Sequence, residues 1–213
     1  MIPIEVLTLN INFKDLTPER IQRIIALIQE HNPTIIFLQE VPHQMVGEFQ
    51  FPDYPYRFGE QFQHQYDTLI LSKFPCIRYD RFPLPSTQSG RNLLLAQIIL
   101  PSGKQINVGT FHVESVFSPC EMEVLKMDQL RFIFSIIPRT PHSIPFIIAG
   151  DTNLLDNQKF DTDNEPNSAP TFKGNRFDRF FTNLPVDKSP QLIGDATHSD
   201  HRGLVMSVNP AEQ

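Results

Sequence analysis

The sequence predicts an α/β domain in which two strand–helix–strand units form two related layers that meet at one cleft. Three observations predict it. Two helical stripes, Ile21, Ile24, Ile25, Ile28 and then Leu130, Ile133, Phe134, Ile137, each lie between two apolar strand-like runs. Both stripes are preceded by a helix-start signal, Thr17-Pro18 and Ser118-Pro119. Asn10, Glu40, His112 and Asp151 fall at the downstream ends of four apolar runs, where parallel α/β units place their ligands.

The first unit opens with a strand over 4–12, alternating from Ile4 to Ile11. A helix capped by Thr17 follows, and His31-Asn32-Pro33 ends it. The apolar run Thr34–Leu38 is a buried strand ending in Glu40. A crossover of this length makes the two strands parallel. Antiparallel strands are then expected at Thr68–Ser72, Ile77–Phe82 and Leu93–Leu100, with a glycine turn at Pro101-Ser102-Gly103-Lys104. The second unit runs from the Gln105–Phe111 strand, which leads into His112-Val113-Glu114-Ser115, to a helix opened by the capping box Ser118-Pro119-Cys120-Glu121 and stopped by Pro138. Its second strand, Pro145–Ala149, ends in Asp151. Residues 156–175 are polar, lack apolar period and predict a long functional loop. Phe177–Phe181 and Leu204–Val208 are closing strands. No composition break marks a linker, so residues 1–213 are expected to form one domain.

Composition narrows the function classes. Of 213 residues, 40% are hydrophobic and 20% charged, as in a soluble globular enzyme. Two cysteines, Cys76 and Cys120, imply no disulfide framework. The N-terminus lacks the charge and apolar core of a signal peptide, and no run approaches the ~20 residues of a membrane span. A cytoplasmic protein, nuclear in a eukaryote, is therefore expected, with no membrane partner and as a monomer. The net charge of −6 argues against a broad nonspecific nucleic-acid surface. It favours a short end or a small phosphodiester.

The polar residues at the strand ends carry the chemistry. A carboxylate at the rim of a buried sheet is costly unless it is paired or bound to a cation. Glu40 offers one carboxylate to Mg²⁺, which keeps waters and a substrate phosphate in its other positions. Asp151 and Asn153, two apart, share a face in extended backbone. One can deprotonate a water while the other holds a phosphate oxygen. His201, in Ser199-Asp200-His201, can donate to a nonbridging oxygen as charge develops. Asp178 can orient that imidazole, and His112 can protonate or steady the leaving oxygen. Taken singly, each has a plainer explanation. Glu40 is a surface carboxylate, Asp151-Thr152-Asn153 an Asx turn, Ser199–Gly203 a polar turn, His112 a structural histidine, and Asp178 a partner of Arg176 or Arg179. All of them in this order suit metal-assisted hydrolysis of a phosphodiester. Zinc ligand spacing, a glycine-flanked serine nucleophile and a phosphate-binding Gly-Lys-Ser/Thr loop are absent from the sequence.

Thr8-Leu9-Asn10-Ile11, Leu38-Gln39-Glu40-Val41, Gly150-Asp151-Thr152-Asn153-Leu154 and Ser199-Asp200-His201 resemble the motif series of the endonuclease/exonuclease/phosphatase superfamily. Gly90-Arg91-Asn92-Leu93-Leu94, Thr110–Ser115 and Arg176-Phe177-Asp178-Arg179 further resemble its 5′-tyrosyl-DNA phosphodiesterase branch. The resemblance implies a four-layer sandwich of two mixed β-sheets flanked by helices, with the active site at the strand ends between the sheets. It implies Mg²⁺, replaceable by Mn²⁺, at Glu40 with Asp200. Catalytic roles map onto Asn10, Glu40, His112, Asp151, Asn153, Asp178, Asp200 and His201, and substrate contacts onto Arg91, Ser115, Phe172 and Arg176. The implied partner is a DNA 5′ end carrying a tyrosyl adduct, single-stranded or frayed. The chain resembles a minimal catalytic unit without an accessory domain.

The sequence departs from that branch at three places. Leu9 stands for a usual Trp, Leu155 for a frequent Arg, and Ala169-Pro170-Thr171-Phe172 for a Trp-Asp-Thr segment. Phe172 can still stack on a base, worth ~1–3 kcal/mol, in a way that leaves the reaction on a small substrate untouched. The competing activities are an abasic-site or end-processing nuclease and a small or lipid phosphodiesterase. A binding domain without catalysis is the competing class, and the full acid, amide and imidazole set argues against it.

Overall fold

The structure is a computed structural model. It describes residues 3–61, 64–115, 119–137, 144–158, 160, 165–166 and 168–210. Each strand–helix–strand unit supplies one parallel pair. β1 (Ile4–Asn10), α1 (Pro18–His31) and β2 (Ile35–Pro42) form the first, with Leu7 level with Ile36. After β3 (Tyr56–Phe58), β4 (Tyr66–Ser72), β5 (Cys76–Pro83) and β6 (Asn92–Ile99), the second comprises β7 (Gln105–His112), α2 (Pro119–Ile136) and β8 (Phe146–Asp151). β9 (Asp178–Thr182), β10 (Val186–Ile193) and β11 (Gly203–Val208) complete the fold.

The strands make two mixed sheets, ordered β10-β11-β1-β2-β4-β3 and β5-β6-β7-β8-β9. Antiparallel neighbours flank the parallel pair in both, β11 and β4 in one, β6 and β9 in the other. The internal likeness of the two halves is thus one of topology. Alternation along each strand sends one set of side chains between the sheets and the other toward a helix. Val6, Ile35, Phe37 and Ile70 meet Leu94, Val108, Ile147 and Phe180 in the middle. Ile21, Ile24, Leu27 and Ile28 of α1 cover Leu7, Leu9, Ile36 and Leu38. Leu130, Ile133, Phe134 and Ile137 cover Phe111, Phe146, Ile148 and Phe181. Each such buried side chain contributes about 1.5–3 kcal/mol of transfer free energy. The result is helix, sheet, sheet, helix, the expected four layers. No helix among the described residues is long and apolar enough to cross a membrane.

Local signals act as the sequence predicts in the first unit. The Thr17 hydroxyl accepts from the Arg20 amide, Pro18 occupies the first helical position, and Asn32 at φ +46° closes the helix onto the Ile28 carbonyl. The capping box at Ser118–Glu121 and the stop at Pro138 lie outside the described residues and side chains. Two expectations need correction, and one strand is not expected from the sequence at all. β2 does not end at Glu40 but continues to Pro42, with Glu40 at φ +59° in an irregularity between Leu38 and Val41 of the β2–β4 ladder. β10 is a strand despite Pro190, because it is an exposed edge with two register shifts and an edge tolerates a missing amide. The 156–175 stretch is not wholly without structure. Phe172 and Asn175 form an isolated bridge around Lys173 and Gly174, both at positive φ.

Candidate active site

The site forms where the rims of the two sheets face each other. Asn10 is the last residue of β1 in one sheet, and its Nδ2 donates to Asp151 Oδ2, at the end of β8 in the other, at 3.0 Å. His201 precedes β11 in the first sheet, and its Nδ1 lies 2.8 Å from Oδ2 of Asp178, the first residue of β9 in the second. His201 Nε2 is 3.8 Å from Asp151 Oδ2. His112, ending β7, places Nε2 3.4 Å from the same Asp151 oxygen and 3.9 Å from Glu40 Oε1. All of these residues except Asp178 line an open cleft of about 340 Å³ together with Asn12, Lys14, Ser115, Asn153, Phe172, Phe177 and Asp200.

Backbone and side-chain bonds hold the set. Asp151 Oδ1 accepts the Asn153 amide at 2.8 Å, and Asn153, at φ +49°, donates Nδ2 to the Val113 carbonyl at 2.9 Å. One Asn153 N–H remains for a ligand. Lys126 of α2 donates to the Asn153 carbonyl at 2.6 Å. The Ser199 hydroxyl donates to the Asn10 carbonyl at 2.6 Å and accepts the His201 amide at 3.2 Å, which ties the His201 loop to β1. Arg20 of α1 reinforces this by donating to the Ile11 and His198 carbonyls. Beneath the cleft, Gln39 Nε2 donates to Thr8 and Thr110 hydroxyls and bolts β2 to β7 through the core.

The electrostatics divide the groups by role. Burial works against a charged His201, but Asp178, Asp151 and Asp200 outweigh it and push its pKa up to about 10. It is an imidazolium at neutral pH. Burial pushes Asp151 up to about 6, against the pull of His201, so it is an ionised but comparatively basic carboxylate at pH 7. Burial, with the charges of Arg91 and His201, holds His112 well below the usual histidine range. It is a neutral imidazole, a hydrogen-bond donor rather than a strong acid.

Most of the predicted residues converge. Asn10, Glu40, His112, Ser115, Asp151, Asn153, Phe172, Asp200 and His201 all border the cleft, and Asp178 backs His201 from a fully buried position. Two predicted contacts lie elsewhere. Arg91 does not line the cleft. It is 6% exposed and sits behind His112, its NH1 2.7 Å from His112 Nδ1 and its guanidinium 5.2 Å over the Tyr66 ring. Arg176 turns away to Asp156 and Glu165, and Arg179 to Glu165. Asp178 is thereby left to His201, not to the arginines beside it. Phe172 stacks on the His201 ring at 4.5 Å between centroids, so one of its faces is already taken. The sequence reading missed Asn12, Lys14 and Phe177 as cleft residues. Asn12 carried the only available signal, a second amide two residues beyond Asn10.

Two groups of residues could hold a cation. The ligand atoms of Asp151, Asp178 and His201 lie within 4.8 Å of one another. That trio fits poorly, because His201 Nδ1 is engaged by Asp178 and a protonated imidazole has no lone pair to give. Glu40 fits better. Its side chain is 16% exposed, one oxygen accepts the Phe13 amide at 3.2 Å, the other lies 3.9 Å from His112 Nε2, and Glu40 and Asp200 both border the cleft. Carboxylate oxygens at an open rim suit a hard divalent ion.

This cleft between two mixed sheets is the architecture of a phosphoester-cleaving fold, and the chain belongs to the Endonuclease/Exonuclease/phosphatase family, whose pattern it matches over residues 7–201. Among individual proteins it is similar to human tyrosyl-DNA phosphodiesterase 2, 29% identical over 157 residues, which covers 71% of this chain and 42% of the human protein. The chain therefore spans less than half the length of that relative. A crystal structure of Danio rerio tyrosyl-DNA phosphodiesterase 2 humanized by 14 mutations superposes with a TM-score of 0.81 at 24% identity, over 97% of this chain and 99% of that one. The D. rerio protein complexed with single-strand DNA product superposes with a TM-score of 0.76 at 23% identity, over 97% and 99%.

Proposed function

We propose that this protein is a Mg²⁺-dependent phosphodiesterase that hydrolyses the 5′-phosphotyrosyl bond between DNA and a topoisomerase-derived tyrosine or peptide. The observation that carries the reading is the meeting of an imidazolium, His201, and a raised carboxylate, Asp151, on one wall of the cleft that Glu40 enters. The names of similar proteins support the choice of substrate: the human and mouse relatives are tyrosyl-DNA phosphodiesterases 2.

Asp151 takes the proton of the attacking water, a task suited to a base whose pKa lies near the working pH. The free Asn153 N–H orients the phosphate, and His201 Nε2–H is aimed to donate to a nonbridging oxygen as negative charge builds. Asp178 fixes the imidazole so that Nε2 faces the cleft. A divalent ion held by Glu40 with Asp200 supplies Lewis-acid stabilisation of the phosphate when bound. His112 contributes a neutral Nε2–H donor. Such a donor can steady a departing phenolate, whose conjugate acid has a pKa of about 10, more readily than it can protonate an alkoxide. That difference favours a tyrosyl leaving group over the sugar alkoxide of abasic DNA.

The protein acts on single-stranded or frayed 5′ ends, as a monomer, in the cytoplasm or in the nucleus of a eukaryotic cell. Mn²⁺ substitutes for Mg²⁺. The test is a side-by-side assay of 5′-phosphotyrosyl oligonucleotide, abasic duplex and a lipid phosphodiester with Mg²⁺. Preferential release of tyrosine is expected. Robust cleavage of abasic DNA or lipid with no release of tyrosine would replace this function with a broader nuclease or a lipid phosphodiesterase.

A further inference from the structure

Glu114 lies two residues beyond His112, outside the cleft, and is fully buried. A loop wraps around its carboxylate. Oε2 accepts from Thr87 Oγ1 at 3.0 Å, the Gln88 amide at 2.9 Å and the Ser89 amide at 3.1 Å. Oε1 accepts from Ser89 Oγ at 2.7 Å and stands 3.9 Å from Arg91 Nε. Thr87 Oγ1 also accepts the Arg91 amide at 2.7 Å, which closes the loop on itself. From the other side, Gln129 of α2 accepts the Glu114 amide and donates to the Pro85 carbonyl. Four donors and a neighbouring guanidinium call for the roughly four lone-pair sites and the charge of a carboxylate. A glutamine offers half the acceptor capacity and no charge.

The loop so held delivers Arg91. Its NH1 lies 2.7 Å from His112 Nδ1, and its NH2 reaches the Ser115 hydroxyl at 3.5 Å. A guanidinium only donates, so His112 Nδ1 must be the acceptor and the ring proton must sit on Nε2. The Nε2 side faces two acceptors, Asp151 at 3.4 Å and Glu40 at 3.9 Å. The opposite tautomer would set N–H against N–H at Arg91 and a lone pair against two carboxylates. His112 and Glu114 stand two apart, and the one guanidinium of Arg91 reaches both. Arg91 Nε is buried without a hydrogen-bond partner. The charge of Arg91 is therefore balanced from behind by Glu114 while its front edge serves a neutral ring.

We propose that Glu114 is a positioning residue that fixes the tautomer of His112 by holding Arg91 in place. A carboxylate that merely braced a loop would affect stability and leave the imidazole proton where it is.

The ring nitrogens of His112 report the difference directly in ¹⁵N-labelled, metal-free protein at neutral pH, with the signals assigned from a His112→Gln spectrum. The wild type should show the Nε2–H form alone. Glu114→Gln should show both tautomers. On a small nitrophenyl phosphodiester its kcat should fall about 10- to 100-fold, the range found when the partner orienting a functional histidine is lost, with KM little changed. Should Glu114→Gln fail to fold, Thr87→Val removes the hydroxyl that links Glu114 to the Arg91 amide and carries the same expectation, while Thr87→Ser keeps the hydroxyl and should match wild type. A wild-type ring protonated on Nδ1, or a folded Glu114→Gln or Thr87→Val protein that keeps Nε2–H alone, would overturn the proposal. Only the kinetic arm rests on the phosphodiesterase reading. A wild type inactive on every phosphodiester, with the tautomer shift intact, would refute that reading and leave this one standing.

Discussion

Asp178 and His201 join across the gap between the two sheets: the carboxylate opens β9, the imidazole leads into β11, and 2.8 Å separates Oδ2 from Nδ1. Asn10 and Asp151 make the same kind of crossing at 3.0 Å. The polar groups at the rim thus do two things. They complete the contact between sheets whose interior contact is hydrophobic, and they gather an amide, two carboxylates and an imidazole at one point.

The cation assignment leads to the first expectation. Glu40→Gln keeps an acceptor for the Phe13 amide but loses the charge. Its fold should persist, with thermal unfolding shifted by no more than about 0.5 kcal/mol. The Mg²⁺ concentration for half-maximal activity should rise at least about tenfold. A metal titration identical to wild type would remove Glu40 as the ligand.

Asp151 and His201, 3.8 Å apart, should share one step. Asp151→Asn and His201→Ala should each lower kcat on the order of 10²–10³. Groups acting as a unit are not additive, so the double variant should lose far less than the product of the two. A double loss equal to that product would assign them to separate steps.

How far the sequence alone carries is clear from these residues. Thr17-Pro18 and the Ile21–Ile28 stripe are legible because capping and helical period are local physics, and the polar strand ends are legible because water-loving groups beside apolar runs need a reason. The bulge at Glu40 is not legible, since a left-handed glutamate carries no sequence mark. β10 is hidden because an exposed edge has no apolar run to show. The partners of Arg91 and Glu114 are hidden because they are separated by about the length of a hairpin, and only the β6–β7 pairing brings them together.

Phe172 is where the structure revises an expectation. A free aromatic would serve only to stack on a base, and its loss would spare a small substrate. Phe172 instead lies on the His201 ring. Phe172→Ala should therefore lower activity on a nitrophenyl phosphodiester as well as on an oligonucleotide, with the larger loss on the oligonucleotide. Unchanged turnover of the small substrate would show that the stack does not matter to His201.

Acid should act through Glu114. Burial alone would raise its pKa, but the hydrogen bonds from Ser89, Gln88 and Thr87 prevail and hold it below the usual 4.5. A depressed carboxylate contributes stability that is present above the unfolded value and is lost as pH falls through the folded one. The stability gap between wild type and Glu114→Gln should be constant above pH 4.5 and should narrow as pH drops below it. Denaturant melts across that range measure this, and a gap independent of pH would mean that the fold leaves the carboxyl's proton affinity unchanged and that these hydrogen bonds do not favour its charged form.

The position of β11 has a consequence for when the protein can act. β11 lies inside its sheet, between β10 and β1, yet among the described strands it comes latest in chain order, and it brings His201 with it. A growing chain must hold a place open beside β1 until that strand emerges from the ribosome and inserts. Until then Glu40, Asp151 and Asn153 can be in place, but the His201 imidazole cannot. On the proposed mechanism, hydrolysis therefore waits for that strand to insert and the sheet to close around it.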